Sequence, residues 1–400
     1  MDIPQGYKQT ELGIIPEDWE IVNLGSVAKI NGRIGFRGYT TADLVGVGQG
    51  AYTIGGKHIT NMVLDLHDAE YISWQKYYES PEIMVRKGDI VFAQRGTLGK
   101  SAFIVNDIGP ATINPSLVLI NKIKCDNEYL SYWLQCDKIV EYICSINSQT
   151  SIPMITQNQI EHIPVVLSRI KAEQQAIAEA LGDIDGLIAT LDKKIAKKRL
   201  IKQGAMQQLL TGKKRLPGFT DSWVEKKLGE ILDYEQPQPY LVVSTDYVDS
   251  GIPVLTAGKS RILGYTTEQF GIYNKLPVII FDDFTTDSKY ISYPFKVKSS
   301  AMKVLSLKNN DYDLRLVYEL MQQIDFPLKD HQRYWISEYS QLTISIPKDR
   351  EEQTAIATIL TDMDKEIADL EAKRDKYSLL KSGMMQKLLT GQIRLKINRI

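Results

Sequence analysis

The chain has 400 residues, 43% hydrophobic and 24% charged, with a net charge of −1, an ordinary composition for two or three folded domains. No stretch approaches the roughly 20 apolar residues that span a bilayer, and the start MDIPQGYKQTELG lacks the basic lead and apolar core of a secretory signal, so a cytoplasmic protein is expected. The charge balance argues against a generic nucleic-acid coat protein. Cys125, Cys136 and Cys144 lack CxxC spacing and read as free thiols rather than a disulfide frame or zinc site.

Residues 1–167 read as a first domain of short apolar segments punctuated by Gly and Pro, AYTIGGKHI, KGDIVFAQRG and ATINPSLVLI, the pattern of strands carrying loops. Within it, QRGTLGKS (Gln94–Ser101) looks at first like a phosphate-binding loop. Gln94 stands where that motif requires glycine, and no acidic metal-holding strand follows. A glycine-flexible loop presenting Gln94, Arg95, Thr97 and Lys100 fits better, because Arg and Gln pair with guanine and adenine edges and Lys suits phosphate. A solvated hairpin tip is the bland alternative. Asn114-Pro115 lacks the second proline and aromatic of an amino-methyltransferase motif, so the chain is not expected to be a methyltransferase. The four histidines show no ligand spacing, so no metal site is expected; His58 reads as a loop or strand-end residue, with DNA contact as its functional alternative.

Residues 168–212 read as one long helix. Ile177, Leu181, Ile184, Ile188, Leu191 and Ile195 step by four and three in turn, a heptad seam. Gly212 stands where a C-terminal glycine stops a helix. At 1.5 Å per residue such a rod is about 65 Å long, more than a small domain can bury. Lysines and arginines crowd its second half, from Lys193 to Arg215.

Residues 213–348 read as a second domain that echoes the first: SWVEKKLGEIL from Ser222 matches DWEIVNLGSVAKI from Asp18, aligning Trp223 with Trp19 and Leu228-Gly229 with Leu24-Gly25. Its segments GIPVLTAGK, LPVIIFDDF and KSSAMKVLSL are again strand-like. FDDFTTDSK offers Asp282, Asp283, Asp287 and Lys289 to a Mg²⁺-dependent nuclease, but such a site wants carboxylates on adjacent strands, and the first domain has no counterpart. Thr285, Thr286, Lys298, Ser299, Ser300, Gln332, Arg333 and Tyr334 are surface candidates for DNA contact, with ordinary surface as the competing reading. Arg33, Arg37, Lys57, Asn114, Lys259, Arg261 and Tyr265 complete the candidate DNA-binding set.

Residues 349–391 read as a second long helix, followed by a tail at 392–400. EQTAIATILTDMD from Glu352 repeats EQQAIAEALGDID from Glu173, 179 residues apart, and the register continues unbroken to Arg215 and Arg394. That is a duplication. Ile356, Leu360, Met363, Ile367 and Leu370 form the second seam, in which Arg374 takes the place of Ile195. Asp349 and Glu352 have capping-box spacing. Gly204 and Gly383 sit inside helices at a cost of about 1 kcal/mol each, which predicts close approach of another backbone, from the partner rod or a partner subunit. Two domain-then-helix repeats related by a two-fold axis bring the rods together antiparallel. The expected fold is therefore α+β: two α/β domains separated by two long helices that form an antiparallel intramolecular coiled coil with pseudo-two-fold symmetry. The outer frame repeats while the loop residues differ.

The helix endings QGAMQQLLTGKKRLPGF and SGMMQKLLTGQIRL, the paired helix starts and the opening GYKQTELGIIPEDWEIVNLG together resemble the specificity subunit of type I restriction–modification systems, over essentially the whole chain. The second domain's YEQPQPYLV, IPVLTAGKSRILGYT, PVIIFDDFTTDSKY and KSSAMKVL resemble one recurring class of target recognition domain in that family. The resemblance implies a non-catalytic subunit whose two target recognition domains each read half of a bipartite DNA site. It implies helices that set the spacer and bind two methyltransferase subunits, joined by restriction (translocase) subunits. S-adenosylmethionine, ATP and Mg²⁺ would be used by those subunits and no cofactor by this chain. An autonomous nuclease and a coiled-coil adaptor without a DNA role are the rival readings.

Overall fold

The computed structural model describes residues 3–60, 62–146, 153–256, 262–328 and 333–395. Two units emerge, the first made of Met1–Leu191 and Lys373–Ile400, the second of Asp192–Ala372. The boundary falls inside both long helices, so each unit combines one domain with half of each rod.

In the first unit, strand Trp19–Asn23 pairs antiparallel with Pro164–Ser168, so the strand near the chain start is tied to the one that precedes the long helix. A four-stranded sheet runs in the order Ser101–Phe103, Ile90–Ala93, Leu117–Asn121, Lys29–Gly32. Its central strands are apolar up to the half-buried Asn121 that ends the second, and buried on both faces, as near-continuous hydrophobic runs should be. A second sheet orders Ala111–Ile113, Gly50–Ile54, Glu70–Ser73, Leu44–Val45, its first pair parallel. Helix Asn127–Trp133, capped by the Asp126 side chain, carries Tyr129, Leu130 and Trp133 into the core beside Ile177, Leu181 and Leu389.

The second unit repeats this plan. Trp223–Lys227 pairs antiparallel with Thr343–Pro347. The four-stranded sheet runs Ser288–Ile291, Val278–Asp282, Met302–Leu307, Leu232–Glu235, and the smaller sheet places Ile252–Leu255 between Ile262–Thr266 and a parallel Lys296–Val297. The repetition reaches single hydrogen bonds. Gln174 accepts from the Asp126 amide (2.7 Å) and donates to the Ser168 carbonyl (2.7 Å). Gln353 accepts from the Asp313 amide (2.8 Å) and donates to the Pro347 carbonyl (2.8 Å). Each buried glutamine thus ties the start of a long helix to a capped core helix and a frame strand, satisfying backbone groups that burial would otherwise leave costly.

The long helices span Lys171–Leu209 and Arg350–Leu388. Inside each unit they run antiparallel: Asp185 pairs with Lys381 in the first, while Lys202 pairs with Asp364 and Lys198 with Glu366 in the second. Ile177, Leu181, Ile184 and Leu191 are buried in the first unit, and Ile195, Ile356, Leu360 and Ile367 in the second; Ile188, Met363 and Leu370 are half-buried. Gly212 and Gly391 both adopt left-handed backbone (φ 67° and 68°) and close the helix ends, the conformation that favours glycine there.

Three expectations are corrected. Ser168 does not start the first helix; it ends the frame strand, and its hydroxyl instead donates to Glu173 (2.5 Å). The Asp349–Glu352 capping box does not close, because Glu352 is drawn away by Arg215, and Asp349 caps alone through the Glu351 amide (2.8 Å). For Gly204 and Gly383 the partner-rod alternative falls, since a Cβ at either would find nothing within 4 Å among the described residues, and the partner-subunit alternative is left.

Candidate nucleic-acid interface

In the first unit the loop after Ile90–Ala93 is shaped by its glycines. Gly96 and Gly99 take positive φ (81° and 76°), and the Ala93 and Lys100 backbones bond across the turn (2.7 Å), so Arg95, Thr97 and Lys100 point outward. Gln94 is half-buried and donates to the Pro115 carbonyl (3.1 Å). Arg95 is exposed, one guanidinium nitrogen resting 3.3 Å from the Met154 sulfur. Asn114 folds into an Asx turn, its side-chain oxygen accepting from the Ser116 amide and hydroxyl. Lys57 is exposed and pairs with Asp68 at 3.2 Å, and Arg37 reaches Glu82 at 3.4 Å.

These pieces meet in a cleft of about 350 Å³, whose lining brings together the predicted Lys57, His58, Arg95, Thr97 and Asn114. Thr53 and Glu70 line it too, and residue chemistry along the sequence did not mark them. Only cross-strand pairing sets Thr53 beside Glu70, and no local pattern reports such a neighbour.

Two predicted residues of this unit are buried rather than surface contacts, Arg33 in the interior and His58 at the base of the cleft. Arg33 is 9% exposed, donates to the Ile113 carbonyl (3.2 Å) and the Thr112 hydroxyl (3.0 Å), and lies over the Tyr39 ring. Burial lowers its pKa from the usual arginine value, opposed by the charges of Tyr39 and Glu82. His58 is 3% exposed; its Nδ1 accepts from the Gly55 amide (2.9 Å), which puts the proton of the neutral ring on Nε2. Burial lowers the His58 pKa, and Lys57 lowers it further.

In the second unit the turn following Val278–Asp282 offers Phe284, Thr285 and Thr286. Thr286 sits in left-handed backbone (φ 58°), a strained conformation for a β-branched residue. Exposed Arg333 lies over the Phe284 ring, 5.9 Å from its centre. Lys298 and Ser300 are exposed, Ser299 and Tyr265 half-buried, and the Ser299 hydroxyl accepts from the Ala301 amide (3.1 Å). Tyr334 is the third correction: at 1% exposure it packs edge-on against Phe326 inside the core. Lys259, Arg261 and Gln332 lie outside the described residues.

The acidic turn is committed to structure. Asp282 accepts from the Phe284 amide (3.0 Å) and the Thr285 hydroxyl (2.8 Å). Asp283 accepts from the Trp335 amide (2.8 Å) and pairs at 3.3 Å with Lys303, both side chains 2% exposed. Lys289 donates to the Thr256 carbonyl (3.1 Å). Among the described residues no group of three metal-ligating side chains forms, and no helix is long and apolar enough to cross a membrane. The three cysteines are unpaired, and burial pushes the Cys125 and Cys136 thiols up to about 11.

Comparison with known proteins adds an independent line. A family model described as the type I restriction modification DNA specificity domain matches residues 16–198 and 220–377. The EcoR124I/EcoR124II type I restriction enzyme specificity subunit of Escherichia coli is 51% identical over 148 residues, a match spanning 36% of each chain. The putative type I restriction enzyme MjaX specificity subunit of Methanocaldococcus jannaschii is 26% identical, covering 98% of this chain and 97% of that one. In three dimensions the chain is similar to the S subunit of a type I restriction-modification system from M. genitalium (TM-score 0.67, 14% identity, 100% and 99% of the two chains covered). It is also similar to a chain from a study of complex assembly and conformational transition in the type I R-M system (TM-score 0.52, 15% identity, 95% and 99% covered). At these identities the structural likeness speaks to fold.

Proposed function

Since the chain belongs to the type I restriction modification DNA specificity family, we propose that it is the non-catalytic, sequence-reading subunit of a type I restriction–modification complex. Each unit reads one half of a bipartite double-stranded DNA site. The antiparallel helices set the unread spacer and dock two methyltransferase subunits, with restriction subunits completing the endonuclease. S-adenosylmethionine, ATP and Mg²⁺ serve those other subunits, and the complex works in the cytoplasm.

The observation that carries this reading is a frame that repeats down to Gln174 and Gln353 around turns that do not: Gln94-Arg95-Gly96-Thr97 in one unit, Asp282-Asp283-Phe284-Thr285 in the other. One scaffold with two different reading edges suits an asymmetric DNA site. The rods support partner docking in the same way. Leu200 and Leu379, at matched positions, are 69% and 76% exposed, and the neighbouring Ile201 and Leu380 are 46% and 48% exposed, so each rod presents an apolar pair that a docked partner would bury. The nuclease rival loses support because Asp282 and Asp283 already serve the turn and the Lys303 ion pair.

Footprinting of the chain with its methyltransferase partner tests the reading. Two protected patches separated by an unprotected gap are expected; an unprotected duplex would leave the adaptor reading. Plasmid cutting by the isolated chain with Mg²⁺, abolished by Asp282→Ala, would restore the nuclease.

A further inference from the structure

The cleft of the first unit carries more than a general DNA-facing surface. Its floor holds two polar atoms that are buried and make no hydrogen bond, the Thr53 hydroxyl and the His58 Nε2. Both residues are only 3% exposed, and an Asp68 oxygen lies 3.5 Å from His58 Nε2. Native proteins seldom leave such groups unmatched, because each forfeits its hydration without return. Here the two share one cleft, with Arg95 and Glu70 exposed on its lining.

The chemistry of the lining selects the ligand. At the exposed lining Arg95 supplies donors and Glu70 supplies an acceptor, while His58 keeps its Nε2 proton, set by the Gly55 amide, at the buried floor. A phosphate would be repelled by Glu70, and Lys57 already pairs with Asp68 at 3.2 Å. A G·C pair instead presents, in the major groove, two acceptors on guanine (N7 and O6) beside one donor on cytosine (N4). Arginine matches the first set and a carboxylate the second.

We propose that this cleft reads the major-groove edge of a single G·C base pair, with Arg95 on guanine, Glu70 on cytosine, and Thr53 and His58 as the prepaid polar floor. The inference rests on the reading of the first unit as a DNA-recognition domain, and it assigns that domain one base pair and the residues that select it. Thr53 and His58 are positioning residues: buried without a hydrogen bond beneath the exposed lining, they act through the polarity of the floor under Arg95 and Glu70 rather than by touching the base pair.

The test uses the chain co-expressed with its host's modification subunits, reading the methylated motif of genomic DNA from wild type, Arg95→Ala, Glu70→Gln and Thr53→Val complexes. Arg95→Ala is expected to relax the preference at one G·C position by about 10- to 100-fold, and Glu70→Gln to relax the same position, leaving the other half-site untouched. Thr53→Val keeps the side chain's shape and removes a hydroxyl without a bond, so its melting temperature should hold or rise while discrimination at that position falls several-fold. A purely structural Thr53 would not move the motif. Variant motifs identical to wild type, or losses spread evenly over every position, would overturn the inference while the DNA-reading role stands. A wild-type complex without any bipartite motif would overturn that role itself, and the inference with it.

Discussion

Arg215 clasps Glu352 through two N–H bonds, of 2.6 and 2.7 Å, onto a carboxylate that is 1% exposed. In the other unit Arg394 holds Glu173 in the same way, one of its bonds measuring 2.9 Å, again onto a carboxylate 1% exposed. Each arginine lies three residues past the glycine that ends one rod, and each glutamate lies in the first turn of the other. The clasp can close only if the rods run in opposite directions, so the antiparallel pairing is written twice in fork-shaped, charge-assisted hydrogen bonds.

The two clasps should differ in worth. Glu173 also accepts from the Trp19 indole (3.2 Å) and the Ser168 hydroxyl (2.5 Å), whereas the Trp223 indole nitrogen makes no hydrogen bond. Neutralising Glu352 removes the carboxylate that Arg215 grips, whereas neutralising Glu173 leaves Arg394 its two bonds to Asp18 (3.0 and 3.1 Å), so the loss at Glu173 comes chiefly from the Trp19 and Ser168 bonds to its buried carboxylate. Glu173→Gln and Glu352→Gln should both lower the thermal midpoint, Glu173→Gln by more. Equal losses in melting experiments would show that Trp19 and Ser168 add nothing to the clasp.

Gly204 and Gly383 each weaken a helix, and among the described residues no close packing accounts for either. Gly204→Ala and Gly383→Ala should therefore stabilise the isolated chain by roughly 1 kcal/mol each. In the complex the added methyl groups should weaken binding of the modification subunits, because close approach of a partner is the remaining reason for glycine. Binding titrations of the two variants give the measurement, and unchanged affinity would remove these glycines from the docking face.

The His58 pKa lies below its ordinary value of 6.5, through burial first and then Lys57, opposed by Asp68, Glu70 and Asp65. The unfolded chain thus takes up this proton before the folded one does. The associated stability is full above pH 6.5 and is lost as the pH falls through the folded-state value. Thermal midpoints of wild type between pH 7.5 and 5 should drop more steeply than those of His58→Asn, which cannot protonate. Parallel curves would show that His58 titrates alike in both states.

A ruler should lengthen when the rods do. Seven residues inserted into each helix at matched positions add about 10 Å, roughly three base pairs of spacer at 3.4 Å per step. The methylated motif of such a variant should keep both half-sites and widen the gap between them. An unchanged gap would show that the distance is set elsewhere.

The sequence by itself determined the duplication, because an offset of 179 residues, held from Glu173 and Glu352 to Arg215 and Arg394, is a one-dimensional fact. It also determined the rods, whose seam recurs with the helix period, and their terminating glycines, since only glycine adopts φ near 67° without strain. It marked the turn Gln94–Lys100 as a loop for the same reason. Tertiary structure alone decided which polar residues face out. Arg33, His58 and Tyr334 carry suitable chemistry yet are buried: Arg33 bonds the Ile113 carbonyl on a strand 80 residues away, and His58 turns its ring back onto the Gly55 amide of its own turn. Glu352 has capping-box spacing, but a bidentate arginine 137 residues away outbids a single local amide. Thr53 and Glu70 became neighbours through strand pairing, which depends on the whole sheet and leaves no local trace in the chain.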